Sequence, residues 1–120
     1  MVPLVGYLAV RREVVGWNTS PPDAAESRRI AELIGTYLDQ GAWGLSTALE
    51  FSPYVSAAEI VQALRQVAGR DGLYFSHLRT QADGITGALE EFLSTARETG
   101  VRSVVSHLKV RGARNWGLAP

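Results

Sequence analysis

The chain has 120 residues, enough for one domain with a core of its own. Twelve basic and twelve acidic residues cancel, which removes the electrostatic case for a nucleic-acid partner or an anionic membrane surface. There is no cysteine, so neither a disulfide framework nor a thiolate metal site can form.

Met1 to Val10 is apolar, but its arginines follow the apolar run instead of preceding it. That order is wrong for a secretory signal, and the run is far too short to span a bilayer. A cytoplasmic setting is therefore expected. Val2 to Val10 reads as a strand or a buried connection, with Pro3 and Gly6 weakening either reading. Arg11 to Ser20 has no clear period and reads as loop. Ser20-Pro21-Pro22-Asp23 then opens a helix, with Ser20 as N-cap and proline in the first turn. Ile30, Leu33, Ile34, Tyr37 and Leu38 form its apolar face, and Gly41 stops it.

Ala42–Thr47 is short and mostly apolar, as expected of a buried strand, and Ala48 to Val55 is a loop leaving its end. Ser56-Ala57-Ala58-Glu59 is a capping box for a helix that buries Ile60, Val61, Leu64 and Val67 and stops near Gly69. Asp71-Gly72 turns the chain into a strand over Leu73–His77, followed by loop from Thr80 to Gly84. Ile85, Ala88, Leu89, Phe92, Leu93 and Ala96 set the next helical face, ending at Gly100. Val101–His107 is the last expected strand, and Val110 to Pro120 is a polar tail.

Strands alternating with helices predict an α/β fold with a parallel sheet and right-handed crossovers. The apolar strands predict a sheet whose two faces are covered by helices or by barrel neighbours. No composition break marks a second domain, so residues 1–120 read as one unit.

Two phrases close consecutive strands: Ser76-His77-Leu78-Arg79 and Ser106-His107-Leu108-Lys109. They hold the only two histidines, 30 residues apart, which is about one strand plus its crossover helix. The pair should lie side by side at the carboxyl edge of the sheet, where α/β proteins keep their chemistry. A lone histidine there reads as a half-buried strand end bonded to a carbonyl. Two in one recurring setting favour shared ligation of a divalent metal.

Two ligands do not complete a catalytic zinc site, which usually has three. Most acidic residues belong to helix surfaces or turns, but Glu50 and Asp83 lie in loops facing the histidine edge and could assist. Arg79 and Lys109 each follow a histidine by two residues and so should point to its side, suited to an anionic substrate group. Surface cations at strand ends would look the same. Trp17, Trp43 and Trp116 read as packing residues.

Gly41-Ala42-Trp43-Gly44-Leu45-Ser46-Thr47, Tyr74-Phe75-Ser76-His77-Leu78-Arg79, Ser106-His107-Leu108-Lys109 and Asn115-Trp116-Gly117 follow one another in order. Together they resemble the N-acyl-D-amino-acid deacylase (D-aminoacylase) branch of the amidohydrolase superfamily, over nearly the whole chain. Pro3-Leu4-Val5-Gly6 and Arg11 are similar to the segment before that family's helix. The resemblance implies a central fragment of a zinc-dependent (β/α)8 TIM barrel, with Ala42–Thr47, Leu73–His77 and Val101–His107 as strands four, five and six. It implies His77 and His107 as metal ligands, Lys109 near the substrate carboxylate and Phe51 lining the substrate pocket.

The chain departs from the family at Gly6-Tyr7, where Gly-His is usual, and at Ser46-Thr47-Ala48-Leu49, where Ser-Thr-Gly-Leu is usual. The His-X-His pair of the first strand, the metal-bridging residue and the catalytic aspartate have no counterparts. A whole barrel needs about 250 residues. The expected activity is hydrolysis of the amide of small N-acyl-D-amino acids by the complete enzyme, the catalytic set being incomplete in this chain and the chain alone inactive. Two alternatives stand beside it. One is a noncatalytic barrel fragment that binds metal weakly or self-associates through open sheet edges. The other is a different amidohydrolase, such as a dihydroorotase or hydantoinase relative.

Overall fold

The computed structural model describes residues 2–118. Four strands, β1 (Val5–Gly6), β2 (Gly44–Ala48), β3 (Leu73–His77) and β4 (Arg102–Val105), form one parallel sheet in sequential order. The helices are α1 (Tyr7–Val15), α2 (Ala24–Asp39), α3 (Ala57–Ala68) and α4 (Ile85–Thr99). Short 3-10 turns occupy Leu49–Phe51 and Ala113–Leu118. Each step along the sheet is a strand, a crossover and the next strand, the arrangement expected from the alternation of apolar periods.

The register makes the two faces of the sheet unequal. Leu45 pairs with Tyr74 and Thr47 with Ser76, and all four are buried beneath the helices. Ile34 of α2, Ile60, Leu64 and Val67 of α3, and Phe92 of α4 fill the space above them. Tyr74 stacks on Phe92 with ring centroids 5.5 Å apart, and its hydroxyl lies 2.9 Å from Thr47 Oγ1. The other face carries Ser46, Phe75 and Val104, and Val104 is 43% exposed. Coverage of both faces, expected from the apolar strands, is thus found for one face among the described residues. The open face is the one that a closed barrel turns inward.

Side-chain capping sets two of the four helix starts, those of α3 and α2. Ser56 accepts from the Glu59 amide while the Glu59 side chain accepts from the Ser56 amide, the box read from the sequence. For α2 the N-cap is Asp23 and not Ser20. Asp23 accepts from the amides of Ala25 and Glu26, and Glu26 reaches back to the Asp23 amide. The two prolines lie outside the helix because a complete reciprocal box starts just after them.

The amino-terminal segment differs most from expectation. Where Arg11 to Ser20 read as loop, α1 runs to Val15 and buries Tyr7, Val10 and Arg11. The helical period is hidden because one of its core positions is an arginine. Arg11 is only 1% exposed; it donates to Glu59 at 3.0 Å and to the carbonyls of Asn18 and Ser20. The three tryptophans are not packed as expected: Trp17, Trp43 and Trp116 are 81%, 59% and 69% exposed. Arg12 lies over the Trp17 ring instead.

Candidate functional site

β3 delivers His77 at its last position, opposite Ala48 of β2, on the face that the helices leave open. The small Ala48 side chain leaves room beside the imidazole. β4 stops sooner than the sequence suggests, at Val105, although Ser106 still donates to the Ser76 carbonyl at 2.9 Å. His107 then has φ of 40°, in the left-handed region, so it is carried by a turn and not by the strand. That turn swings its ring back toward β3.

The two imidazoles meet. His77 Nδ1 lies 2.9 Å from His107 Nε2, with ring centroids 4.4 Å apart and planes at 70°. Burial, and then the Lys109 ammonium, hold His77 below the usual imidazole range, which keeps it neutral near pH 7. Neutral imidazole is the metal-ligating form. Two nitrogens on one tetrahedral zinc, each about 2.0–2.1 Å from it, stand roughly 3.3 Å apart. The observed pair is a few tenths of an ångström inside that separation, so the donor set fits two of the positions around one ion. Among the described residues, no group of three or more His, Cys, Asp or Glu is placed to hold a metal.

Glu50 and Gln81 surround the pair. Glu50, in the 3-10 turn after β2, places Oε2 2.7 Å from His77 Nε2, and its other oxygen pairs with Arg111. Gln81 is buried, with its amide nitrogen 2.9 Å from His77 Nε2 and 3.4 Å from His107 Nδ1. Glu50 was legible as a loop carboxylate on the correct edge. Gln81 carried no signal, because nothing in its neighbourhood marks the backbone turn that aims it inward.

Phe51 is 72% exposed, and its ring centroid stands 5.3 Å from that of His77. Lys109 is exposed on the same side and forms no ion pair among the described residues. Arg79 is used differently from the expectation of a substrate-facing cation. The chain leaves β3 after His77, and the guanidinium turns to Glu91 of α4 at 2.6 and 2.8 Å and to the carbonyls of Pro53 and Val55. Those bonds occupy its fork and tie the β2–α3 loop to α4. Asp83 is likewise committed elsewhere, bonded to Arg114 and Asn115.

The parallel βα sheet and its paired histidines at the carboxyl edge define a partial (β/α)8 barrel with a candidate metal centre. No family model matches the chain. It is 39% identical over 121 residues to an N-acyl-D-aspartate deacylase of Alcaligenes xylosoxydans xylosoxydans, a match covering 98% of this chain and 24% of that protein. It is 34% identical over 116 residues to the N-acyl-D-glutamate deacylase of the same organism, covering 95% and 24%. Among solved structures, the N-acyl-D-glutamate deacylase of Bordetella bronchiseptica, complexed with zinc and a phosphonate inhibitor, superposes with a TM-score of 0.91 at 36% identity. That match covers 97% of this chain and 25% of the other. The chain is a homologue of the N-acyl-D-amino-acid deacylases of the D-aminoacylase family, and it spans about a quarter of the length of the relatives it matches.

Proposed function

We propose that this chain, one partial barrel domain, supplies two zinc ligands, His77 and His107, to an amidohydrolase that cleaves the amide bond of small N-acyl-D-amino acids. The observation that carries the reading is the 2.9 Å approach of His77 Nδ1 and His107 Nε2 at the carboxyl edge of the sheet. The zinc and tetrahedral-intermediate mimic bound by the Bordetella homologue support it. When bound, zinc supplies Lewis-acid polarisation of a carbonyl and lowers the pKa of its water. In this reading the exposed Lys109 binds the substrate carboxylate, and Phe51 forms an apolar wall beside His77. Arg79 has no direct role, since its donors are committed within the fold.

Among the described residues no aspartate is placed at the histidine pair as a general base, Asp83 being bonded to Arg114 and Asn115, so the purified chain is expected to be inactive. Deacylation of an N-acetyl-D-amino acid by it would overturn that expectation. The direct test replaces the matching segment of the Bordetella enzyme with this chain and measures zinc content and deacylation. Activity that is lost on His77→Ala or His107→Ala supports the reading; a folded chimera that holds zinc equally well without both histidines rejects it. The reading includes a cytoplasmic setting. No helix among the described residues is long and apolar enough to cross a membrane.

The outer edge of β4 and the exposed Val104 favour a second reading, in which the isolated chain self-associates through its open edge and face. Light scattering distinguishes it: a discrete oligomer without activity supports it, and a stable monomer removes it.

A further inference from the structure

His77 Nε2 faces the Glu50 carboxylate at 2.7 Å, and Glu50 is also paired with Arg111. An ionised carboxylate only accepts hydrogen bonds, so the proton of His77 belongs on Nε2 and the lone pair on Nδ1. That lone pair points at His107 Nε2. The Gln81 amide nitrogen, however, also sits 2.9 Å from His77 Nε2, which would set donor against donor. Its carbonyl oxygen, Oε1, is meanwhile buried with no partner, in a residue 2% exposed. A buried acceptor left unsatisfied is destabilising. The two ends of a glutamine amide are nearly isosteric and exchange places by a half-turn. That turn removes the donor–donor clash at His77: Oε1 then shares the single Nε2–H with Glu50 and also lies 3.4 Å from His107 Nδ1, as acceptor when that nitrogen carries the proton.

We propose that Glu50 and Gln81 are positioning residues that accept the outward N–H groups of the two imidazoles, leaving His77 Nδ1 and His107 Nε2 as lone pairs aimed into one gap that takes a divalent cation. The inference rests on the zinc reading above and adds to it two residues that set the ligand tautomers. Two lone pairs at this separation repel unless a cation or a proton lies between them, so the arrangement selects for a positive charge in the gap. Partners of this kind fix ring orientation and raise ligand basicity, and losing one typically costs 10–100-fold in metal affinity.

The test uses the 120-residue chain labelled with 15N-histidine, with zinc as the probe. Long-range 1H–15N spectra should show His77 protonated at Nε2 before and after zinc addition, and His107 protonated at Nδ1 once zinc is bound. Calorimetry should show zinc affinity about 10–100-fold weaker in Glu50→Leu and in Gln81→Leu. Gln81→Glu offers only acceptors, so it should recover most of the affinity, whereas a role for the glutamine NH2 predicts that it fails like Gln81→Leu. Circular dichroism identifies any variant that has not folded, and the wild-type tautomers do not depend on variants. A His77 proton on Nδ1, or a Gln81→Glu variant no better than Gln81→Leu, overturns the proposal. If the wild-type chain binds no zinc, the zinc reading loses its support, while the tautomer of metal-free His77 still decides the role of Glu50.

Discussion

Arg11 and Glu59, 48 residues apart, form an ion pair at 3.0 Å with side chains only 1% and 8% exposed. Glu59 serves three masters at once: it closes the capping box of α3, accepts from Tyr7 and neutralises Arg11. Burial, with the Glu59 carboxylate next, pushes the Tyr7 hydroxyl far above the usual phenol range, so it acts only as a donor. The network joins α1, α3 and the α1–α2 connection. Arg11→Ala strands a buried carboxylate and is expected to cost about 3–5 kcal/mol in urea unfolding. Arg11→Met combined with Glu59→Gln removes both charges and should be markedly less destabilised than Arg11→Ala. An equal loss in both would show that packing, not charge pairing, holds this corner.

Gly44 and Leu73 are paired across β2 and β3 so closely that a Cβ on Gly44 would meet the Leu73 carbonyl oxygen at 1.9 Å. The obstacle is backbone, which cannot rotate aside. Gly44→Ala should therefore lie at or beyond the upper end of the roughly 1–3 kcal/mol seen for overpacking. Denaturant unfolding checks this. A near-neutral result would mean that the two strands separate there without loss.

Asp83 holds the carboxyl-terminal segment through Asn115 and Arg114, and those bonds keep its carboxyl below the usual range. Because the folded pKa lies below the unfolded one, the stabilisation is complete above the ordinary value of 3.8 and is lost as pH falls through the folded value. On acidification the Asn115 side-chain amide resonances should move to free-amide positions only below that ordinary value. Asp83→Asn should lack this transition. Its persistence in that variant would assign the acid response to another group.

Lys109 and Arg79 follow the two histidines at the same offset but are expected to respond oppositely. In the chimeric enzyme, Lys109→Ala should raise KM about 10–100-fold through loss of a charge-assisted contact to the substrate carboxylate, with stability little changed. Arg79→Ala should lower thermal stability, since it frees Glu91 and two loop carbonyls. A KM effect confined to Arg79 would reverse these assignments.

Much of this molecule is determined by short-range rules. Apolar runs of strand length, the Ser56–Glu59 box and the glycine stops determine α3, β3 and α4, and the spacing of His77 and His107 places both at one edge of a parallel sheet. Those signals are local, so one strand of letters carries them. What only the tertiary structure decided depends on partners far apart in sequence. Arg11 becomes a core residue because Glu59 meets it there. Arg79 turns from the site because Glu91 and two carbonyls fill its fork. Glu50 and Gln81 close around the histidines because a 3-10 turn and a loop bring them there. A side chain's burial, charge state and use are set by what folding places against it, and no periodicity within a single segment records that.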